Sequence, residues 1–596
     1  MDNKWSRYYS AGENKADIDT NRTIYKVLCD NKEKYPDRIA LEHARKQFTY
    51  TEFLNTVDNT AVSFKSIGIG KGDAIALCIN GIPATAFTVY AASAIGAIVS
   101  MMSTELTPDR FKTLCISQNI KAVVMTANQL NDVADVLDQT SVKSVIVAKH
   151  TDYYTLNDKF RSPVRKLFPL DTMRVRPADL PSEISMFYWK ELLGDYSDKK
   201  FIQDTEISPN SPVVYLNGAS VTGRVLSAAL SSRGLNEQAS IDMFLFRSEK
   251  NEDKPVRILS FIDRFFSCGL CLGIHSIIAS GNTALFYAGD LTRFPFDTFG
   301  FYKPDIVVGY PGLLMQMAES KLIRFTDISY LQKIISCGNV MNTNQCCDLR
   351  MFLDRSKCNA RLERLYGIDE TGAVYIYNPV KLDNDRIFGI PLPGVMVKIM
   401  DPDSEAEMRH GEQGQICVCT PAAMTGYVDN DPATEIAKKR FRDGRVWICT
   451  GDTGHEDDNG FIYFDGNTKR IIERDGTLIY PYIIEECILG VSGVKEACAV
   501  TVDDDTSPYV VAVVAPEDDY LFDAVKLDEL KRAIETECNL TLPAAMRPDE
   551  IEFRAYLPKE NFGKNDHDVL RAQIEARRSS EDHEEDENED ESDAET

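Results

Sequence analysis

The residues whose types and order are best suited to chemistry lie between positions 447 and 481. An apolar run at 446–449, VWIC, is typical of a short strand, and it leads into Thr-Gly-Asp at 450–452. The glycine allows the backbone to turn, so the carboxylate of Asp452 is expected to point outward where the strand ends. A carboxylate in that position can accept hydrogen bonds from two neighbouring hydroxyls of a ribose-sized ligand.

The residues after Asp452 predict a hairpin and then a break between domains. The sequence DDNG at 457–460 is a strong turn signal between two strands, the second of them at 461–464. The sequence GNTKR at 466–470 then interrupts the apolar pattern. We therefore expect a large N-terminal domain at 1–466, a small C-terminal domain at 467–575 and a disordered acidic tail at 576–596.

This arrangement resembles the adenylate-forming superfamily of acyl-CoA synthetases, luciferases and peptide-synthetase adenylation domains. The usual text of that family here is TGD followed by GYLYFxGRxKDxIxxxGxxIYPxEIE, and the likeness extends from about Tyr35 to Arg571. It implies an α/β fold: a large N-terminal domain of two helix-covered sheets with a small β-rich subdomain, then a small α+β lid domain. The resemblance also implies that Asp452 binds ribose, that Asn467 replaces an ATP-binding arginine, and that Arg470 occupies the hinge.

A polar segment at 213–235 resembles the family's phosphate loop, usually YTSGTTGxPKG followed by VxLSHRNL. Small residues and glycines let backbone N–H groups approach phosphates, while hydroxyls and a cation add further donors. Residues 229–235 match the second part, but the loop departs: either Val-Leu-Ser at 225–227 replaces Pro-Lys-Gly, or Arg224 replaces the lysine. An ordinary polar turn is the alternative explanation. The candidate ATP-binding residues here are Gly218, Ser220, Thr222, Gly223 and Arg224.

The sequence RLYGIDETG at 364–372 resembles the family's YGxTE motif. There a tyrosine gives adenine a stacking face, a hydroxyl binds the α-phosphate, and a glutamate holds Mg²⁺ on the phosphates. Tyr366, Gly367 and Glu370 match this motif. Asp369 replaces the threonine, and it would repel a phosphate by about 4 kcal/mol at a surface-like dielectric unless Mg²⁺ or Thr371 takes over the role.

The pocket for the acid is expected around residues 257–287, which resemble the family's LPLFHxxGL segment. Phe266 stands where acyl- and aryl-CoA synthetases usually carry a histidine. If Phe265 and Phe266 line the pocket, two uncharged rings favour an apolar acid, whereas plain core packing is the alternative. Asp263 is a weaker candidate for pairing with an amino group. The turn containing Gly338 and Asn339 is expected to lie against adenine and the acid, since a glycine there lets backbone approach a flat ligand.

The catalytic lysine implied by the resemblance is Lys564. It ends the sequence LPKENFGK at 557–564, which is similar to the family's LPxTxxGK. Its long side chain would bridge the acid's carboxylate and the α-phosphate, offsetting charge as the two anions meet. A solvent-exposed lysine without a catalytic role is the alternative.

Composition limits the partners and the compartment. The formal net charge is −26, with eleven acidic residues and no Lys or Arg after position 580, which argues against binding nucleic acid or anionic membranes. The first interpretation of this tail is that it is disordered and solvated, and the alternative is that it binds a partner. Fifteen cysteines, several inside apolar runs, indicate a reducing cytoplasmic location, and Cys268 and Cys271 have no second pair to complete a zinc site. The uncharged stretch at 84–104 is better explained by a buried helix and strand than by a membrane span.

Alternating periodicity predicts parallel sheets covered by helices. The expected strands are 74–79, 121–125 and 144–148, and the expected helices are 85–95 and 107–118. Residues 150–204 predict an irregular connection. In the C-terminal domain we expect strands at 494–500 and 509–514 and a helix at 527–537.

The resemblance implies an ATP-dependent acid–thiol ligase. Such an enzyme uses ATP and Mg²⁺ to form the acyl-adenylate of an apolar fatty or aryl acid, and then the small domain swings so that coenzyme A can attack. Two alternatives remain open at this point. One is a degenerate, non-catalytic member, because three ATP-site positions are altered, and the other is an enzyme that loads a carrier protein.

Overall fold

A computed structural model describes most of the chain. The described residues are 5, 8–9, 18–44, 46–104, 107–153, 180–195, 200–203, 206–219, 225–247, 254–287, 298–320, 323, 326–378, 387–402, 404, 406–467, 472–474, 477–479, 481–502, 508–559 and 565–578. They form two compact units. The first comprises residues 1–398 and 417–450, and the second comprises residues 399–416 and 451–596. The boundary that the sequence predicts at 466 stays a prediction.

A nine-stranded sheet runs through the first unit in the order β16-β15-β14-β13-β12-β10-β11-β1-β2. Its six central strands pair in parallel, and antiparallel strands flank them at both ends. The strands are Ile39–His43 (β1), Lys46–Thr49 (β2), Arg257–Ser260 (β10), Thr283–Phe286 (β11), Ile306–Gly309 (β12), Lys333–Ser336 (β13), Arg361–Ile368 (β14), Ala373–Asn378 (β15) and Ile390–Pro391 (β16).

An eight-stranded sheet of the same unit has the order β19-β9-β8-β4-β3-β5-β6-β7. Strands β8, β4, β3, β5, β6 and β7 are parallel, and β9 and β19 are antiparallel. The strands are Ala74–Leu77 (β3), Ile98–Met101 (β4), Ile120–Met125 (β5), Ser144–Val147 (β6), Ser185–Tyr188 (β7), Pro212–Ala219 (β8), Val225–Ser231 (β9) and Gly426–Tyr427 (β19).

The helices expected at 85–95 and 107–118 lie where predicted, and a cap explains where the second begins. Thr107 caps α4 by accepting from the Arg110 backbone N–H, and a proline occupies the first turn. The helices of the first unit are Ile24–Lys34 (α1), Tyr50–Ser66 (α2), Pro83–Ile95 (α3), Pro108–Ser117 (α4), Ala127–Val133 (α5), Trp189–Asp195 (α6), Ser232–Asp242 (α7), Ser267–Leu270 (α8), Ser276–Ala279 (α9), Pro311–Glu319 (α10), Thr343–Arg355 (α11) and Asp431–Ala437 (α12). A π-helical segment, Cys271–His275, joins α8 to α9.

Two stretches of the first unit, at 84–104 and 150–204, were predicted with different success. The uncharged stretch at 84–104 is a wholly buried helix followed by strand β4, as predicted. The irregular connection expected at 150–204 was wrong in part, because this stretch supplies β7 and α6. Strand β7 pairs in parallel with β6. No helix among the described residues is both long and apolar enough to cross a membrane.

A five-stranded sheet contains the Thr-Gly-Asp segment, with the order β17-β18-β21-β20 and β22 beside β21. The expected end of the strand at Cys449 was wrong: β21 continues to Glu456, although Gly451 has a φ of 79°. The DDNG hairpin is confirmed, since β21 and β22 pair in antiparallel fashion. The strands are Met396–Met400 (β17), Gly414–Cys419 (β18), Lys438–Arg440 (β20), Val446–Glu456 (β21) and Ile462–Asn467 (β22).

The second unit contains a small α+β fold. A three-stranded sheet has the order β25-β26-β27, and apolar clusters cover it from two sides. The strands and helices at 494–500, 509–514 and 527–537 are confirmed with extended ends. The elements are Ile472–Arg474 (β23), Thr477–Ile479 (β24), Pro481–Leu489 (α13), Val494–Val502 (β25), Tyr509–Pro516 (β26), Ala524–Thr541 (α14), Glu550–Phe553 (β27) and a final helix at 567–578 (α15).

Candidate active site

Glu370, the expected Mg²⁺ ligand, lies in a tight turn between β14 and β15. A 3₁₀ turn, Asp369–Thr371, joins the two strands. Gly367 is required by this hairpin, because a Cβ atom there would come within 2.0 Å of the Ala373 carbonyl oxygen. Gly372 adopts a φ of 89°, which also favours glycine. Packing within the hairpin therefore accounts for Gly367, and the left-handed backbone conformation accounts for Gly372.

The carboxylate of Glu370 is buried and oriented by a residue distant in the sequence. Glu370 is 3% exposed, and its Oε1 atom accepts a 2.6 Å hydrogen bond from the Tyr427 hydroxyl. Tyr427 lies in β19, which pairs with strand β9 that follows the expected phosphate loop. Tyr427 was not among the residues expected at the site, so this contact was missed. Carboxylate oxygens are the hard ligands that Mg²⁺ prefers, and the hydrogen bond from Tyr427 orients this one. Glu370 therefore fits this ion.

Asp369 binds the start of a helix. Its Oδ1 atom accepts hydrogen bonds from the backbone N–H of Ser267 at 2.8 Å and from the Ser267 hydroxyl at 2.7 Å. The N-cap residue of α8 is Phe266, whose side chain offers no capping hydrogen bond. Asp369 thus satisfies one of the free N–H groups at the helix start, where negative charge is favourable.

The same carboxylate lies beside the expected phosphate loop. A Cβ atom at Gly218 would come within 3.3 Å of the Oδ2 atom of Asp369. Gly218 pairs with Leu226 in the β8–β9 hairpin, so residues 225–227 belong to a strand ladder. The intervening residues Ser220, Thr222, Gly223 and Arg224 lie outside the described residues.

Thr371 does not replace the missing threonine hydroxyl. Its side chain is fully buried, and its Oγ1 atom lies 2.8 Å from the carbonyl oxygens of Ile368 and Ala373. The hydroxyl is therefore committed to the backbone of the turn. Asp369 remains the side chain at the position where the family places an α-phosphate donor.

Tyr366, the expected stacking partner of adenine, is half-buried and packs against two aromatic rings. The Phe388 ring centroid is 4.5 Å away, and the Tyr375 ring makes an edge contact at 5.5 Å. Phe388 lies just before the GIPLPG segment and was not expected at the site. These contacts fix the ring orientation of Tyr366.

A second group of expected residues meets around Tyr310. Gly338 has a φ of 86°, and a Cβ atom there would lie 2.6 Å from the Tyr310 ring. The Tyr310 hydroxyl in turn contacts the Asp263 carboxylate at 3.2 Å. Burial raises the pKa of this tyrosine, and the charge of Asp263 adds to the effect. The side chain of Asn339 is exposed and accepts from the Val340 backbone N–H.

The residues expected to line the acid pocket are adjacent but differ in exposure. The rings of Phe265 and Phe266 are 5.1 Å apart, and Phe265 is 8% exposed whereas Phe266 is half-buried. Asp263 already accepts hydrogen bonds from the side chains of Asn80 and Tyr310. This pairing weighs against Asp263 as the partner of a substrate amino group.

In the second unit, the structure describes only part of the expected site. Asp452 is 5% exposed within β21, and its Cα pairs with that of Asn467 at the end of β22. The side chain of Asn467, the hinge residue Arg470, the catalytic candidate Lys564 and the acidic tail after position 578 lie outside the described residues. The two ends of the Lys564 segment are joined by a bridge between Lys559 and Asn565, whose side chains are 2.7 Å apart.

Two protein-family models match most of this chain. The sequence model described as AMP-binding enzyme matches residues 28–428, and the model described as AMP-binding enzyme C-terminal domain matches residues 483–564. This chain belongs to the AMP-binding enzyme family. The matched ranges include Gly218, Asp369 and Glu370 in the first model and Lys564 in the second.

Full-length relatives of this AMP-binding enzyme include ligases. The chain is 26% identical over 561 residues to a putative acyl–CoA ligase, YdaB, of Bacillus subtilis, covering 90% of this chain and 95% of that protein. It is 24% identical over 520 residues to a long-chain-fatty-acid–CoA ligase of Salmonella typhimurium, covering 86% of each. In fold it is similar to the anthranilate CoA ligase AuaEII in complex with anthranoyl-AMP, with a TM-score of 0.76, 16% identity and coverage of 94% and 98%. The expected α/β class with two domains is confirmed.

Proposed function

We propose that this chain is an ATP-dependent acid–thiol ligase. In the first half-reaction a carboxylate attacks the α-phosphate of ATP, and pyrophosphate leaves. In the second half-reaction the thiol of coenzyme A attacks the acyl carbon, its proton is lost, and AMP leaves. The observation that carries the proposal is the meeting of Gly218, Asp369 and Glu370 at one place. Gly218, which stands at the start of the expected phosphate loop, lies beside the turn that presents the buried carboxylate of Glu370.

The roles of individual residues follow from their chemistry. Glu370, oriented by Tyr427, would hold Mg²⁺, which supplies positive charge to the phosphates when bound. Tyr366 offers adenine an aromatic face, and Asp452 offers ribose a buried carboxylate. Lys564 would bridge the two reacting anions and so favour the transition state.

The acid is proposed to be apolar. Phe265 and Phe266 offer rings without charge, and the only nearby carboxylate that the sequence suggested for an amino group, Asp263, is already hydrogen-bonded. The named relatives act on a long-chain fatty acid in one case and on anthranilate in another. The first acid is aliphatic, and the second is an aromatic acid that also carries an amino group; we propose a fatty or aryl acid for this chain.

A specific observation favours a second candidate, a degenerate, non-catalytic member, while an enzyme that loads a carrier protein stays open as the third. Asp369 caps a helix at the position of a phosphate-binding hydroxyl. Loss of one preorganised donor typically lowers a rate by about 10²–10³-fold. The cytoplasmic location and a partner for the acidic tail also stay predictions.

The test is ATP–pyrophosphate exchange with a panel of fatty, aryl and amino acids. We expect exchange with at least one fatty or aryl acid, and a loss of about 10²-fold or more in Glu370→Gln and Lys564→Ala. Lys531→Ala, which changes an exposed lysine of α14, serves as the matched control and should retain the wild-type rate. Absence of both exchange and MgATP binding in the wild-type chain would support the degenerate member instead.

A supporting experiment separates the acceptors. The exchange reaction reports only adenylation, so formation of the thioester is measured separately with coenzyme A and with a phosphopantetheinylated carrier protein. Thioester formation with coenzyme A supports the proposed ligase. Adenylation followed by transfer to the carrier protein alone supports an enzyme that loads a carrier protein.

A further inference from the structure

Three ligand-type side chains meet in the second unit at a place that adenylation does not use. They are Glu485 of α13, Cys498 of β25 and His567 at the start of α15. One ligand atom from each lies within 4.8 Å of the other two, and the Cys498 Sγ atom is 2.9 Å from the His567 Nδ1 atom. Cys498 and Glu485 precede His567 by 69 and 82 positions in the sequence, so only the fold brings the three residues together.

We propose that Glu485, Cys498 and His567 bind one Zn²⁺ ion, or another divalent cation of similar softness. Thiolate, imidazole and carboxylate are the three protein ligands that zinc uses, at about 2.3 Å for sulfur and about 2.0–2.2 Å for nitrogen and oxygen. Tetrahedral binding at those lengths separates ligand atoms by roughly 3.3–3.7 Å. The observed spacing therefore needs only small side-chain movements.

The surroundings favour a metal over a reactive thiol. Cys498 is fully buried, and it packs in an apolar cluster with Leu557 and Leu570. Reagents of ordinary size cannot reach such a sulfur. Glu485 is 8% exposed and His567 is half-buried, so the imidazole edge provides the route by which an ion can enter. Three protein ligands leave one position for water.

The carboxylate of Glu485 is already oriented by the backbone. Its Oε1 atom accepts a 2.8 Å hydrogen bond from the Ala499 N–H, the residue that follows Cys498. Hydrogen bonds of this kind fix the direction of a ligand and are part of most metal sites. On binding, the cation replaces the Cys498 thiol proton, which passes to solvent, and a metal–thiolate bond forms.

The site would join three elements of the second unit. It links α13, β25 and α15, and His567 stands three residues after Lys564 in the sequence. A bound cation stabilises whatever conformation presents all its ligands. The proposal does not depend on the ligase activity, because the metal would bind in the absence of ATP or acid.

The first test measures metal binding by the full-length chain after treatment with a chelator. Zn²⁺ binding is followed by equilibrium dialysis with elemental analysis, and Co²⁺ is added as a spectroscopic probe. We expect one equivalent of metal and a thiolate-to-cobalt charge-transfer band. Cys498→Ser and His567→Gln should each lower the affinity by about 100-fold or more, because loss of a direct ligand exceeds the 10–100-fold typical of outer contacts.

Cys487→Ser is the matched control, because Cys487 lies on α13 with Glu485 but is outside the group. It should bind metal as the wild-type chain does. Binding that survives in both Cys498→Ser and His567→Gln overturns the proposal, as does absence of a stoichiometric ion in the wild-type chain. X-ray absorption of the zinc-loaded wild-type chain provides a test that needs no variant. One sulfur with nitrogen and oxygen supports the site, and no sulfur or several sulfurs contradicts it.

Discussion

Asp369 shows how a residue can serve the fold at a position where family resemblance implies a ligand. The α8 helix begins at Ser267, and its own N-cap residue, Phe266, has no capping side chain. Asp369 supplies the missing acceptor from the neighbouring hairpin. The backbone N–H at the helix start points towards the carboxylate and so offsets part of its negative charge. Asp369 therefore compensates for the missing cap at Phe266, and the two positions are coupled in this sense.

This coupling predicts different outcomes for two substitutions of Asp369. Asp369→Ala removes the acceptor for Ser267 and should lower the free energy of unfolding by about 1 kcal/mol, as for a lost helix cap. Asp369→Asn keeps an acceptor oxygen and should be close to the wild type in stability. Because the charge is removed, Asp369→Asn should also lower the KM for MgATP. Urea unfolding and pyrophosphate exchange measure the two effects, and equal stabilities of the two variants would exclude the capping role.

The sequence identified residues of the candidate site but not the side chains and backbone groups that they contact. Tyr366, Gly367 and Glu370 could be recognised because their types and order form a compact motif. The contacts of Glu370 with Tyr427 and of Asp369 with Ser267 span 57 and 102 positions. Such contacts depend on how two sheets and their connecting helices pack. No local pattern contains that information.

Among the elements, strands β13 and β14 carry a buried ion pair in the middle of the nine-stranded sheet. The Lys333 Nζ atom is 3.3 Å from the Glu363 Oε1 atom, and the two side chains are 7% and 9% exposed. Lys333 also donates to the Leu245 carbonyl oxygen at 2.8 Å. Each charge is tolerated at this depth because the other is present.

Removal of one partner should therefore destabilise the sheet strongly. Lys333→Met leaves the Glu363 charge buried and should lower the free energy of unfolding by about 3–5 kcal/mol. The double variant Lys333→Met/Glu363→Leu should recover most of this loss, because no buried charge remains. Urea unfolding gives the free energies.

Arg532→Met provides the contrasting control for this ion pair. Arg532 and Asp528 form an exposed pair on α14, with side chains 73% and 57% exposed. Its loss should change the free energy of unfolding by less than about 1 kcal/mol. If Lys333→Met lowers the free energy of unfolding by no more than Arg532→Met does, the buried pair of Lys333 and Glu363 does not stabilise the sheet as proposed.

Elements were predictable where local periodicity was strong, and were missed where pairing decided the outcome. The helix α3 and strand β5 follow from apolar runs, and Gly96 ends the helix. Strand β21 was expected to end at Cys449, but it continues seven residues further, to Glu456, where residues 452–456 pair with β22. Strand β7 likewise depends on its neighbour β6. A glycine signals that a turn is possible, whereas the partner strand determines whether one forms.

Across the first unit, three buried ionisable groups make stability depend on pH in opposite directions. Burial lowers the pKa of both His43 and His275 to about 3. These histidines bind fewer protons in the folded chain than in the unfolded chain between about pH 3 and pH 6.5. Their contribution to the free energy of unfolding therefore increases as pH rises through that range. Burial raises the pKa of Asp242 to about 7, despite hydrogen bonds from Gln238 and Ser276 that favour its charged form. The contributions overlap in the same pH range and partly cancel.

Comparison with Asp242→Asn isolates the contribution of the carboxyl group. Between about pH 4 and pH 7 the folded chain holds the Asp242 proton and the unfolded chain does not, so the Asp242 contribution to stability falls as pH rises. The free energy of unfolding of the wild type, relative to that of Asp242→Asn, should therefore decrease by about 2 kcal/mol from pH 5.5 to pH 8 and remain constant above that. Urea unfolding across this range measures the difference, with Asp132→Asn, an exposed site on α5, as the matched control. A difference that stays constant with pH would show that Asp242 is ionised throughout. The buried network of Gln238, Ser276 and Asp242 would then be stabilised by the charge itself.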